Sequence, residues 1–138
     1  MQDKELYRQL MGLREPWKVR EVKINFQEHR VDVWVEWPPD KRGPCPECGA
    51  ESTLYDHREE RQWRHLDTMQ FQTILHCRIP RINCTEHGVR SITVPWAEKS
   101  SRFTVLFERL AIDVFLGCQN QTKARELLGL SWDEIHLI

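Results

Sequence analysis

Two short cysteine motifs constrain the fold of this chain more than any other feature of its sequence. The first is CPECG at residues 45–49, and the second is CTEHG at residues 84–88. Each motif places two soft donor side chains with two residues between them and follows the second donor with glycine. Such a repeat is typical of two turns that hold one metal ion between them.

The donors of the two motifs form a complete Cys3His set, namely Cys45, Cys48, Cys84 and His87. Zinc accepts such a set in a tetrahedron, and a glycine after the second donor lets the backbone turn with positive φ so that peptide N–H groups face the sulfurs. We therefore predict one structural Zn²⁺ in a zinc ribbon, with each turn carried by a β-hairpin. Because the protein fills all four positions, we expect no zinc catalysis.

Two other interpretations of the motifs remain open. The thiols could be unconnected surface groups, or residues 45–48 could be a redox pair, although the βαβ context of such a pair is missing and the second motif would be unexplained.

The remaining cysteine and histidine residues are weaker candidates for metal ligands. His76 and Cys77 alternate in direction along a strand, Cys118 follows an apolar helix and is predicted to be a small core residue, and His57 and His65 are predicted to be surface or packing residues.

The composition indicates a folded chain with one domain or two small ones, since 40% of its 138 residues are hydrophobic and 30% are charged. The net charge of −1 does not by itself indicate a nucleic-acid binder, so the distribution of charge matters more. Residues 68–102 contain more basic than acidic side chains and predict a modest basic patch, with a solvated face as the alternative. The basic residues are Arg78, Arg81, Arg90, Lys99 and Arg102.

Several classes of protein are disfavoured. No stretch is apolar for long enough to span a bilayer, and the N-terminus lacks a hydrophobic region of the secretory type. The five cysteines are odd in number, which argues against a fully paired disulfide framework and for the reducing cytoplasm. No set of nucleophile, base and orienting group is evident, and we expect neither catalysis nor a small-molecule substrate.

The hydrophobic periodicity predicts an α+β chain. A small β-rich zinc-ribbon-like domain with an N-terminal β-hairpin is followed by a helical, helix-turn-helix-like segment. The predicted helices cover residues 2–14, 103–117 and 122–128, with a further one from Ser131. The predicted strands cover residues 19–26, 31–37, 73–82 and 90–96, and Pro80 indicates an edge strand or the end of pairing. The corresponding divisions are residues 1–40, 41–100 and 101–138.

The last part of the chain has the pattern of two helices joined by a turn at Gly129. Ser131 and Glu134 form an S-x-x-E capping box that begins the second helix. The predicted core positions of this unit are Ala124, Leu128, Leu130, Ile135 and Ile138. Either a DNA-binding helix-turn-helix or an ordinary αα-hairpin has this spacing. Because the chain ends about two turns into the last helix, we expect this region to be truncated.

Several stretches in order are similar to the ISL-three family of insertion-sequence transposases. They are CPECG, YDHREERQWRHLD, CRIPRINCTEHGVR and VPWAEKSSRFT. The resemblance covers roughly residues 40–138. It implies a zinc finger with the four ligands above, a family stretch WRHLD at residues 63–67, and a helix-turn-helix region from about Phe103. Family members continue into a large DDE-type catalytic domain, which this sequence does not contain.

The resemblance therefore implies the recognition part of a transposase and not its chemistry. The expected partner is DNA, specifically insertion-sequence terminal repeats, together with self-association, and the expected location is the bacterial cytoplasm at the nucleoid. Arginine and tryptophan suit a phosphate backbone and a groove edge. The candidate DNA contacts are Arg58, Arg61, Trp63, Arg64, His65, Arg78 and Arg81.

Two alternatives accompany these expectations. Nearby carboxylates at Asp56, Glu59 and Glu60 offset the arginines, so that residues 56–65 could equally be a solvated, ion-paired loop. The whole chain could also be a zinc-stapled protein–protein interaction module that binds partners through its tryptophans and the N-terminal hairpin. A net charge near zero favours that second function.

Overall fold

The computed structural model describes residues 3–118 and 120–137 and confirms the predicted α+β class. Ile138, predicted as a core position, lies outside the described residues. The elements in chain order are α1 (Asp3–Met11), β1 (Lys18–Asn25), β2 (Arg30–Glu36), β3 (Gly43–Pro44), β4 (Glu51–His57), β5 (Arg61–Thr68), β6 (Phe71–Cys77), β7 (Pro80–Cys84), β8 (Gly88–Ser91), α2 (Val105–Gly117), α3 (Gln121–Leu128) and α4 (Trp132–Ile135). No helix within the described ranges is both long and apolar enough to cross a bilayer.

The first sheet has the strand order β1-β2-β6-β5. Strands β1 and β2 form the predicted antiparallel hairpin, and β2 buries Val31, Val33 and Val35 on one face by strict alternation. The other edge of β2 pairs in parallel with β6, which in turn pairs antiparallel with β5. The N-terminal hairpin is thus continuous with a hairpin that lies, in sequence, between the two cysteine motifs.

The second sheet has the order β3-β4-β7-β8, and all its pairs are antiparallel. The first cysteine motif connects β3 to β4, and the second connects β7 to β8. Each motif therefore lies on a hairpin of one sheet, which is the zinc-ribbon arrangement expected from the sequence. The hairpin of β5 and β6 is inserted between the two and pairs elsewhere.

Some predicted strands have different limits. The single strand expected at residues 73–82 is two strands, β6 and β7, and Pro80 begins β7 in the middle of its sheet and not at an edge. A proline is tolerated as a first strand residue because its missing N–H is not needed there, while its carbonyl accepts a hydrogen bond from the Ile92 amide at 3.0 Å. Strand β8 ends at Ser91, so residues 92–96 leave the sheet.

Residues 56–65, for which a solvated, ion-paired loop was the alternative, lie mostly within β4 and β5. Charged side chains interrupt the alternation of hydrophobic and polar residues by which a strand is recognised. Strand β5 buries the consecutive residues Trp63, Arg64 and His65, which do not alternate as a half-exposed strand would. Tertiary contacts on both sides of the strand account for this burial.

Four of the six tryptophans lie in the main core and not on a surface. Trp17 contacts both Trp37 and Trp96 with ring centroids 5.1 Å apart, and Trp96 contacts Trp63 at 5.3 Å. All three contacts are edge-to-face, the arrangement that aromatic quadrupoles favour. The high tryptophan content therefore reflects core packing, and these four rings are not available to a protein partner.

The helices form a second core, separate from the first. Its buried residues are Phe103, Phe107, Ala111, Leu128, Leu130 and Ile135. Ala124 is also buried, so every described residue of the predicted helix-turn-helix core is inside. Gly129 caps the C-terminus of α3 in a left-handed conformation, and the predicted capping box of Ser131 and Glu134 begins α4.

Arg64 connects the sheet to the helices. Its guanidinium donates hydrogen bonds to the carbonyls of Leu128 at 2.7 Å and Gly129 at 3.1 Å, and it lies 4.6 Å from the centroid of the Phe107 ring. A cation at these carbonyls complements the negative end of the α3 dipole. The nitrogen that donates to Leu128 also donates to the carboxylate of Asp67 at 3.2 Å. The WRHLD stretch on β5 thus connects the first sheet to the helical core formed by α2, α3 and α4.

Candidate metal centre and basic cleft

The four predicted ligands converge, although the two motifs are far apart in sequence. Their donor atoms all lie within 4.8 Å of one another. The Sγ atoms of Cys48 and Cys84 are 3.7 Å apart, and the Nδ1 atom of His87 lies 3.6 Å from Cys84 Sγ and 3.8 Å from Cys45 Sγ. Because each motif is a hairpin turn of the same sheet, the pairing of β4 with β7 brings them together.

These separations suit a tetrahedral zinc ion. With Zn–S and Zn–N bonds near 2.3 and 2.0 Å, tetrahedral donors lie roughly 3.5 to 3.8 Å apart, which matches the three distances given above. Three thiols and an imidazole are also the soft and borderline donors that zinc prefers to the oxygen ligands of Mg²⁺ or Ca²⁺. The cluster therefore fits zinc in both geometry and chemistry.

The turns stabilise the charged form of a thiol. Backbone N–H groups of His87 and Glu86, together with the His87 ring, lower the pKa of Cys84 to about 6. At Cys48 the Ala50 N–H lowers the pKa, but burial and the neighbouring thiols of Cys84 and Cys45 outweigh it and raise the pKa overall. The turn around Cys84 thus favours the thiolate, whereas the raised pKa of Cys48 opposes a second negative charge beside it.

The glycines of the two motifs have the backbone conformation expected of them. Gly49 and Gly88 have φ values of +76° and +75°, a region in which a side chain is strained. In the first turn the Gly49 amide donates to the carbonyl of Cys45 at 2.8 Å. Glycine at these positions closes each turn tightly around its two donors.

A carboxylate supports the histidine from outside the donor set. Glu47 of the first motif lies 3.5 Å from the Nε2 atom of His87 in the second, so that the Nδ1 atom faces the sulfurs. Arg90 in turn contacts the same carboxylate at 3.3 Å. Such an outer carboxylate fixes the tautomer and orientation of a ligand imidazole. No local pattern in the sequence points to Glu47, since the contact depends on how the two turns face each other.

The other cysteine and histidine side chains lie away from the cluster. His76 is buried between Asp32 and Glu60, with its two ring nitrogens 2.6 and 3.2 Å from their oxygens. Burial raises the pKa of Cys77 to about 12, which keeps that thiol neutral and unreactive. His65 is also buried, and its Nδ1 atom is 2.8 Å from the hydroxyl of Thr104.

A cleft of about 620 Å³ lies beside the metal centre and carries an excess of positive charge. Pro46 and Glu47 of the first motif form part of its wall, and Ile79, Ile92 and Val94 supply apolar surface. Two acidic residues, Glu47 and Glu98, line it against a larger number of basic ones. The basic lining residues are Arg58, Arg61, Arg81, Arg90 and Lys99.

Some basic side chains of the cleft already have a hydrogen-bond or ion-pair partner, and others do not. Arg81 is paired with Asp56, and Arg61 donates to the Ser101 carbonyl at 3.0 Å. Burial and the nearby charge of Arg58 lower the pKa of Arg61, as expected where like charges are held together. Within residues 3–118 and 120–137, the side chains of Arg58 and Lys99 make no hydrogen bond or ion pair. These two cations are therefore free to bind an anion.

The predicted DNA contacts divide into two groups. Arg58, Arg61 and Arg81 line the cleft, and Arg78 is exposed and donates to the Arg58 carbonyl at 3.2 Å. The others are buried in the fold and already bonded or packed there. These are Trp63, Arg64 and His65, with 1%, 7% and 9% of their surface exposed.

Two separate regions of the chain match families of transposase domains. Residues 41–87 match the zinc-finger of transposase IS204/IS1001/IS1096/IS1165, a span that contains all four donors. Residues 92–138 match the helix-turn-helix domain of transposase family ISL3. No solved structure matches the chain.

Curated relatives agree with these matches. The chain is 27% identical over 143 residues to the transposase for insertion sequence element IS1557 from Mycobacterium tuberculosis strains CDC 1551 / Oshkosh and ATCC 25618 / H37Rv. The alignment spans 100% of the chain but 32% of each relative. Both domain matches, the whole-chain alignment and the convergent Cys3His set thus lead to one assignment. The chain is similar to transposases of the ISL3 family in two regions, one matching their zinc finger and the other their helix-turn-helix domain.

Proposed function

We propose that this chain is the part of a transposase that binds the ends of an insertion sequence, with one structural zinc ion and no catalytic step of its own. The observation that carries the proposal is the basic cleft beside the Cys3His centre, because it joins a charged surface to the hairpins that zinc would hold. The divisions at residues 40 and 100 and a nucleoid location are parts of the same proposal.

Zinc would act here by contributing free energy of folding, on the order of 10 kcal/mol for a structural site. Cys45, Cys48, Cys84 and His87 would hold it and thereby clamp the β3–β4 hairpin to the β7–β8 hairpin. Since Pro46, Glu47 and Arg90 line the cleft, its shape would depend on that clamp.

Metal analysis of the purified chain tests this role. We expect one zinc per chain, loss of folded structure on chelation, and loss of zinc in Cys84→Ser. The matched control is Cys118→Ser, which changes a thiol that is partly exposed and outside the cluster. A chain that retains its fold in chelator, or a Cys84→Ser variant that keeps stoichiometric zinc, would contradict it.

We infer that the cleft contacts the phosphate backbone and that the helix-turn-helix reads bases. Cationic side chains release counterions from DNA and supply most of the affinity without reading sequence. The beginning of α4 carries Asp133 and Glu134, which a phosphate would repel, so the positive charge has to come from elsewhere. Arg58 and Lys99 supply it as cations without a partner in the described chain.

Fluorescence anisotropy with duplexes that carry insertion-sequence terminal repeats, against shuffled duplexes, measures both effects. We expect tighter binding to the repeats and an affinity that falls steeply with salt. Arg58→Glu and Lys99→Glu should each weaken binding about tenfold on both duplexes and reduce the salt slope by about one.

The matched control is Arg14→Glu, an exposed arginine that does not line the cleft. It should change the salt slope little. Equal losses for Arg14→Glu and Arg58→Glu would show only a net-charge effect and would contradict the cleft as the contact. No preference for the repeats would contradict transposon-end recognition.

The alternative function, a protein-interaction module, rests on a different surface. Four tryptophans that the alternative would use are buried, but α2 leaves several large apolar side chains exposed. That surface belongs to a different element from those that line the basic cleft, so both could be used at once.

A further inference from the structure

Helix α2 has an exposed apolar face that the rest of the described chain does not cover. The helix buries Phe107 and Ala111 on one side, against the second core. The opposite side is also rich in large apolar residues, and Leu116 is 81% exposed. The exposed apolar residues are Val105, Leu106, Leu110, Ile112 and Leu116. A helix that is apolar on most sides is normally buried on most sides.

Two opposite charges lie in the middle of this face. At 100° per residue, Arg109 and Asp113 fall between Leu106 and Leu116 on the side away from Phe107. Both charged side chains are exposed. Neither makes a hydrogen bond or ion pair with residues 3–118 or 120–137. An arginine and an aspartate four residues apart on a helix can form an ion pair with each other. Because these two do not, both charges remain available to a partner.

We propose that this face binds the same face of a second copy of the chain, with the two α2 helices antiparallel. A two-fold axis level with Ala111 places Arg109 of each copy opposite Asp113 of the other. The same axis places Leu106 opposite Leu116 at each end of the contact. The face is therefore complementary to itself in both charge and apolar surface, as an isologous interface requires.

Charge complementarity favours a second copy over an unrelated partner. A different protein would need its own matching acid and base at this spacing, whereas a second α2 supplies them by symmetry. The helix has 13 residues and is about 20 Å long, so the contact is small. We therefore expect a reversible dimer with a Kd on the order of micromolar.

Sedimentation velocity over a concentration series of the zinc-loaded chain tests the proposal. Arg109→Asp and Asp113→Arg each create two like-charge contacts in the homodimer and should weaken it about tenfold or more. An equimolar mixture of the two variants restores both opposite-charge contacts in a heterodimer. The mixture should therefore associate at concentrations where each variant alone is monomeric.

The control is Lys123→Glu, an exposed charge reversal on α3 that lies off this face. It should dimerise as the unaltered chain does, and circular dichroism should show all variants folded. Leu116→Ser is a second variant for the apolar part of the contact and should also favour the monomer. An unaltered chain that stays monomeric at several hundred micromolar, single variants that dimerise normally, or a mixture that fails to associate would each overturn the proposal.

Discussion

Arg64 makes one strong prediction possible, because a single side chain joins the sheet to the helices. In Arg64→Ala the carbonyls of Leu128 and Gly129 lose a charged donor, and Asp67 loses its partner. Phe107 also loses the guanidinium that lies 4.6 Å from its ring centroid. The backbone hydrogen bonds of residue 64 to Arg102 and Thr104 do not depend on the side chain and should persist.

The expected cost can be estimated from these contacts. Hydrogen bonds from a charged donor each contribute about 1.5 to 3 kcal/mol, and the cation–π contact adds about 1 kcal/mol. These contributions are not additive, and desolvating the guanidinium offsets part of them. We therefore expect the free energy of unfolding to fall by about 3 kcal/mol, or the melting temperature by about 10 °C for a chain of this size.

Hydrogen exchange shows where that loss occurs. Amides of α2 and α3 should lose protection in Arg64→Ala, while amides of β4 and β7 in the zinc-binding sheet should keep theirs, since the helices would open as a separate unit. Arg64→Lys should recover only part of the stability, because an ammonium lacks the planar fork that spans two carbonyls.

The matched control is Arg102→Ala, an exposed arginine of the neighbouring segment whose carbonyl, and not its side chain, contacts Arg64. Its cost should stay within about 0.5 kcal/mol. A similarly small cost for Arg64→Ala, or protection lost equally from the sheet and the helices, would refute the role of Arg64 as the joint.

Three further predictions concern the metal centre and the buried histidine. Glu47→Gln should weaken zinc affinity about tenfold, because the carboxylate orients the His87 ring; unchanged competition with a chelator would contradict this. Gly88→Ala should cost about 1 kcal/mol in urea unfolding, because φ is +75° there, and an equally stable variant would show that the turn relaxes. Burial lowers the pKa of His65 from 6.5, so the unfolded chain binds the proton more tightly. The stability from neutral His65 is therefore complete above about pH 6.5 and falls as the pH falls towards the folded value, and His65→Gln should reduce the loss of unfolding free energy between pH 8 and 5. Equal losses in both proteins would contradict that prediction.

Several parts of this protein could be predicted because their physics is local. The spacing of Cys45 and Cys48, and of Cys84 and His87, confines each donor pair to one turn, and a following glycine permits that turn. The capping box at Ser131 and the alternation in β2 likewise depend on residues only a few positions apart. The structure agrees with the sequence on each of these features.

Other features could not be predicted, because they depend on which distant segments meet. Arg58 and Arg64 are both arginines in one charged stretch, yet one lines an open cleft and the other is buried under α3. No local pattern separates them. The parallel pairing of β2 with β6 could not be predicted either. Hydrophobic alternation defines which face of a strand is buried, but it does not specify the neighbouring strand.

The sequence by itself therefore determined the donors of the candidate metal site, the turns that present them, the N-terminal hairpin and the helices. The tertiary structure decided which arginines form the basic cleft, that four tryptophans lie in the core, and that Arg64 joins the helices to the sheet. The physical reason is range: turn and cap energies are set within a few residues, whereas burial and charge clustering are set by contacts between segments far apart in the chain.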